Sequence, residues 1–123
     1  SLLIESKKLS LSTHYEAKPI LLIDRKKISK VIDNILSNAI KYNKIGGLIR
    51  IDVHSKSLSI KDSGVGIEEA KLGLVFERYS RFNTSVGGFG IGLNIVALIA
   101  KEYDLHVSIS SQLNEGTEVV ISW

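Results

Sequence analysis

The 123 residues suffice for one hydrophobic core, and 44% hydrophobic with 24% charged residues describes a globular chain rather than a disordered one. The net charge of +3 is dispersed apart from Lys7-Lys8 and Arg25-Lys26-Lys27, which argues against a nucleic-acid surface and weakly for an anionic ligand. With no Cys there is neither a disulfide framework nor a thiolate metal site, no apolar run reaches membrane-spanning length, and the lack of Met points to a segment of a longer protein.

Leu9, Leu11 and Thr13 alternate as a strand, and Pro19 to Ile23 reads as a second short strand ending at Asp24. From Arg25 to Tyr42, the residues Ile28, Val31, Ile32, Ile35, Leu36, Ala39 and Ile40 form one broad stripe of helical period, with Asp24 as its N-cap. Ile49, Ile51 and Val53 alternate after Gly46-Gly47, and a turn from His54 to Ser57 leads into Leu58, Ile60 and Asp62, which is a hairpin pattern. A second helix is expected from Glu68 towards Phe76, a loop from Glu77 to Gly90, and a third helix from about Ile91 to Tyr103. Leu105, Val107 and Ile109, then Val119 and Ile121, alternate around Asn114-Glu115-Gly116 as a closing hairpin. The sum is a single α+β domain over residues 1–123, a two-layer sandwich with about three helices on one face of a mixed, mostly antiparallel sheet.

Four stretches could carry chemistry. At about 100° per residue, Asn34, Asn38 and Lys41 share one arc opposite the apolar stripe of the long helix, with Tyr42 at its border. Two amide oxygens one turn apart suit a hard cation such as Mg²⁺, Lys41 suits a phosphate, and Tyr42 offers a ring face; the alternative is a solvated helix face. In "DSGVGI", from Asp62 to Ile67, alternation places Asp62 on the side of Leu58 and Ile60. A carboxylate facing the core needs a donor, for which an adenine amine has the right chemistry, while Gly64 and Gly66 would let the backbone turn and approach a flat ligand. The alternative there is an Asp capping an ordinary turn. Gly88, Gly90 and Gly92 open an apolar helix, whose N-terminal N–H groups would form an anion site. Neither a dinucleotide-binding Gly motif nor a P-loop fits, because a loop precedes these glycines and no Gly-Lys-Ser/Thr follows. Arg78 and Arg81, three apart beside that loop, could reach phosphates or stand as a plain surface pair.

In this order and spacing the four stretches resemble the catalytic ATP-binding domain of sensor histidine kinases, within the superfamily shared with gyrase, mismatch-repair ATPases and heat-shock chaperones. The resemblance runs from about Leu9 to Trp123 and implies the Bergerat sandwich. It implies Asn38 as the Mg²⁺ ligand with Asn34 beside it, Lys41 on phosphate, Tyr42 against the purine, and Asp62 on the adenine amino group. It further carries Gly64 and Gly66 over as the turn, Phe76 as the F box, and Gly88, Gly90 and Gly92 as the glycine box that holds phosphates at the edge of a short lid, roughly Glu77 to Gly87; Ile67, Arg78, Arg81 and Leu93 complete the candidate nucleotide contacts. Asn34 and Lys41 are the catalytic candidates. Where hydrolysing relatives use a Glu base near Asn34, an amide cannot take a proton, whereas a neutral imidazole already has a lone pair near pH 7. Phe89 departs from the family's small or hydroxyl residue, Tyr79 from its commoner Phe, and no His stands in a His-Glu/Asp-x-Arg-Thr-Pro setting.

The resemblance therefore implies transfer of the γ-phosphate of Mg-ATP to a histidine on a separate dimerisation domain of the same protein, with a response regulator downstream. It implies no nucleic acid, no direct membrane contact by this domain, and a cytoplasmic location, either free or as the cytoplasmic part of an inner-membrane sensor. Two rival readings are a nucleotide-sensing module without phosphotransfer and an ATPase of the gyrase or chaperone type.

Overall fold

A computed structural model describes residues 6–67 and 89–123, the side chains of residues 89–92 excepted. Five strands and two helices follow in the order β1 (Ser10–Tyr15), α1 (Arg25–Lys41), β2 (Leu48–His54), β3 (Ser57–Asp62), α2 (Phe89–Glu102), β4 (His106–Gln112) and β5 (Gly116–Ser122). The strands form one sheet in the order β1-β2-β3-β5-β4. β1 runs parallel to β2 and every other pairing is antiparallel, so the sheet is mixed and mostly antiparallel, as the sequence implied.

Strand register explains which face is covered. Ile51 lies opposite Ile60, Ile60 opposite Val119, and Val119 opposite Ile109, so one apolar row crosses four strands. The next row, Arg50, Lys61, Glu118 and Ser110, points the other way and is polar. Val31, Ile35 and Ala39 of α1 and Leu93, Val96 and Ile99 of α2 close over the apolar rows as one buried cluster. Each aliphatic side chain fully buried there contributes about 1.5–3 kcal/mol over leaving it exposed, which fixes the face.

The helix ends follow their local chemistry. Asp24 caps α1, its Oδ1 accepting from the N–H groups of Lys26 at 2.8 Å and Lys27 at 3.3 Å. α2 ends where Asp104 adopts a left-handed φ of 56°, which lets the Leu105 N–H reach the Ala100 carbonyl at 2.8 Å.

Two expectations need correction. Residues 19–23 form no strand: Pro19 has no N–H to give a ladder, and Ile20 and Leu22 stand 86% and 93% exposed. Their alternation is real, but Leu21 and Ile23 face an apolar cavity of about 580 Å³ under the N-terminal half of α1, and the Ile20 carbonyl accepts from the Trp123 indole at 3.0 Å. β1 exists, yet all its residues are exposed, because α1 packs over β3 and α2 over β4 and neither covers this edge. The helix expected from Glu68 towards Phe76 lies outside the described residues, so two helices are described where about three were expected. The last helix is already formed at Phe89, where the described residues resume, two residues before the position its periodicity suggested.

Candidate nucleotide site

Asp62 closes β3 on the same side as Ile60 and opposite Ile49, so its carboxylate enters the helix-covered layer half-buried. Among the described residues both of its hydrogen bonds end on Oδ1, from the Gly64 N–H at 2.8 Å and the Thr117 N–H at 3.3 Å. Burial pushes the carboxyl pKa up, and the two backbone donors oppose that shift. The Asp62 turn is thus both a capped Asx turn and a core-facing acceptor, so the two readings of this Asp are compatible.

Across from it stands Asn38 of α1. Its Nδ2 is buried without a hydrogen-bond partner among the described residues. Such an orphan costs about 1–3 kcal/mol. Asn38, Asp62, Thr117 and Leu93 share a cavity of about 20 Å³, room for about one water molecule. Contrary to expectation, Asn38 is not opposite the apolar stripe; it lies on the stripe's border between Ile35 and Ala39, because so broad a stripe leaves only a narrow polar arc. Asn34 is half-buried one turn earlier, and its Nδ2 donates to the Lys30 carbonyl at 2.9 Å. Lys41 is exposed, with Nζ 6.0 Å from the centroid of the Tyr42 ring. Tyr42 itself packs on the core cluster, and burial raises its phenol pKa.

The glycines of the turn have a different neighbour from the one expected. A Cβ on Gly64 would meet the Tyr42 carbonyl, and one on Gly66, whose φ is 73°, would meet the Gln112 carbonyl. Both make room for protein backbone rather than for a flat ligand. Ile67 is buried in the core and its N–H donates to Ser111 Oγ at 2.7 Å, which ties the end of the turn to β4. Gly90 and Gly92 lie in the first described turn of α2, followed by the buried Leu93. Phe76, Arg78, Arg81 and Gly88 lie outside the described residues.

Three positioning residues escaped the sequence reading. Thr117 supplies a backbone N–H, which no side-chain pattern announces. Asn43, buried just past α1, donates from Nδ2 to the Leu48 carbonyl at 3.0 Å and accepts at Oδ1 from Ser63 Oγ at 3.3 Å. Lys7 reaches the end of α1 from outside it, donating to the carbonyls of Ile40, Lys41 and Asn43 at 3.1, 2.6 and 3.2 Å. An Asn directly after a helix was a readable signal for Asn43; nothing local marked Lys7.

Residues 23–123 match the family described as histidine kinase-, DNA gyrase B-, and HSP90-like ATPase. Among curated relatives, the chain is 35% identical over 97 residues to sensor protein QseC of Salmonella typhimurium, covering 78% of this chain and 22% of that protein. It is 34% identical over 110 residues to sensor histidine kinase WalK of Bacillus subtilis, covering 81% of this chain and 18% of that one. The chain thus spans less than a quarter of the length of either relative. Among solved structures, a mycobacterial sensor histidine kinase MprB superposes with a TM-score of 0.80 at 23% identity, over 98% of this chain and 85% of that chain. Full-length ShkA in complex with AMPPNP gives a TM-score of 0.83 at 21% identity, over 98% of this chain and 26% of that chain. The match over residues 23–123, on a sheet and helix pair of the same build, places the chain in the histidine kinase-, DNA gyrase B-, and HSP90-like ATPase family.

Proposed function

We propose that this chain is the ATP-binding catalytic domain of a sensor histidine kinase, transferring the γ-phosphate of ATP to a histidine on a separate dimerisation domain of the same protein. The observation that carries this reading is the pairing, across one small cavity, of the half-buried Asp62 carboxylate with the orphaned Asn38 amide. Asp62 would accept from the adenine amino group through Oδ2, since Oδ1 already holds two backbone donors. Lys41, exposed at the end of α1, would meet phosphate, with Tyr42 beside it as a wall for the base. The turn of α2 that holds Gly90 and Gly92 would offer its backbone N–H groups and the helix dipole to phosphate.

Mg²⁺ fits the donors present: an orphaned Nδ2 turned into the protein leaves the Asn38 Oδ1 as a hard neutral oxygen, with Asn34 one turn away. When bound, the cation would neutralise charge on the phosphate oxygens. Asn34 cannot take a proton, and its Nδ2 is tied to the Lys30 carbonyl, which supports transfer to an already nucleophilic imidazole over hydrolysis. A response regulator downstream is in keeping with relatives named as sensor proteins, and a cytoplasmic location is in keeping with a solved neighbour that is the cytoplasmic segment of histidine kinase QseC.

The test is to incubate the chain with radiolabelled Mg-ATP and the helical segment that carries the phosphoacceptor in the intact protein, and to follow acid-labile label on that segment. Label is expected, and Asn38→Ala or Asp62→Ala should abolish it. Bound ATP without label on a folded partner would leave a nucleotide-sensing module, and steady phosphate release by the chain alone would restore the ATPase reading.

A further inference from the structure

We infer that Lys7 is a positioning residue for the nucleotide site, through which the segment leading into β1 sets the last turn of α1 and, with it, the Asp62 turn. The inference rests on the reading of that turn as the adenine contact. Its ammonium group donates to three main-chain carbonyls at once, those of Ile40, Lys41 and Asn43, at 3.1, 2.6 and 3.2 Å. The last carbonyls of a helix have no intrahelical donor, so a cation arriving from another segment satisfies them and meets the negative end of the helix dipole. Lys7 is itself held: its own carbonyl accepts from the Gly46 N–H at 2.8 Å, and the chain turns at Lys8, whose φ is 54°, to enter β1 with the Ser10 N–H on the Gly47 carbonyl at 3.0 Å.

What Lys7 grips is continuous with the site. Lys41 and Tyr42 are the last residue of α1 and its cap. The Tyr42 carbonyl accepts from the Val65 N–H at 3.1 Å, and the Asn43 side chain bonds Ser63 Oγ and the Leu48 carbonyl. Ser63 Oγ also accepts from the Leu48 N–H at 2.8 Å, and the next N–H, that of Gly64, is the one on Asp62 Oδ1. A displacement of Lys7 therefore reaches the carboxylate through α1's terminus and one turn, with no side chain outside this network. Linkage makes the effect reciprocal: a nucleotide held by Asp62 should tighten the anchoring of residues 6–10.

Lys7→Met keeps the aliphatic stem and removes the donors, and Lys7→Arg keeps the charge and the donors. In the whole chain, Lys7→Met is expected to weaken Mg-ATP binding by about 5- to 10-fold while Lys7→Arg stays within about twofold of wild type, the size of an ordinary coupling between sites. Amide exchange should speed up at Gly64 and Val65 in Lys7→Met, while Ile60 and Val119 in the core strands keep their protection. Unchanged exchange at Gly64 and Val65 would overturn the inference, as would a loss of protection spread evenly over the core strands, which would make Lys7 a general staple. Exchange at Gly64 needs no nucleotide, so it judges Lys7 even if the adenine reading fails; that separate failure would appear as unaltered ATP affinity in Asp62→Asn.

Discussion

Asp62→Asn separates the cost of the site from its use. The amide of the variant has only one orientation available, because the Gly64 and Thr117 N–H groups both require an acceptor where Oδ1 now sits. Nδ2 must then take the place of Oδ2 and present a donor to the adenine amino group, itself a donor. Losing that hydrogen bond and leaving the pair facing each other costs about 1–3 kcal/mol, or about 5- to 140-fold in Kd for Mg-ATP. A base with a carbonyl at the same position reverses the clash, so Mg-ITP should bind the variant better than Mg-ATP does. Stability should move the opposite way. Burial raises the Asp62 carboxyl pKa above its usual 3.8, so the folded domain holds the proton more tightly than the unfolded chain. The wild type therefore keeps this group's full contribution only below the unfolded value and loses it as pH rises through the raised, folded one. An amide in its place does not titrate and carries no such loss, so the variant should melt higher than wild type at neutral pH and the gap should close in acid. Calorimetric titration with the two nucleotides, with melting curves across pH, reads both effects. A variant that binds Mg-ATP normally, or melts lower than wild type at neutral pH, would refute the reasoning.

Other changes test separate links. Asn38→Ala removes an unpaired buried donor, so chemical denaturation should find stability unchanged or raised, while titrations with and without Mg²⁺ lose their difference. Gly66→Ala should destabilise by about 1–3 kcal/mol in urea melts, because φ is 73° and the new Cβ meets the Gln112 carbonyl. Asp24→Ala should cost about 1 kcal/mol by the same assay, since it strips two N–H groups of their acceptor at the start of α1, and nucleotide affinity should hold.

How much of this was legible depended on the range over which each interaction acts. The 3.6 period of α1 and the alternation of β2, β3, β4 and β5 are written in neighbouring residues, and those elements form where their pattern put them. Residues 19–23 carry the same alternation and form no strand, because alternation records two faces and cannot say whether a ladder or a cavity receives them. Asp62 was placed correctly by its parity with Ile60, since a period of two leaves no freedom. Asn38 was placed on the right helix but on the wrong side of its stripe, where the stripe's width decides. Lys7 could not be found at all: its partners are 33 to 36 residues away and are main-chain carbonyls, which every residue owns.

The two anomalies of the described residues also say where function sits. A buried side-chain polar atom without a partner occurs at Asn38, and the carboxyl with a raised pKa is Asp62. They belong to different elements, α1 and β3, yet they line one cavity. Folding alone has no use for either, since an apolar residue at 38 and an amide at 62 would cost less. Elsewhere the network is satisfied with care: Asn43 uses both ends of its amide, Ser111 takes the Ile67 N–H and bonds the Gly116 carbonyl, and Lys7 covers three carbonyls. An unpartnered amide and a half-buried carboxyl on one cavity, inside a shell built to hold its walls, are what a site prepared for a polar ligand requires.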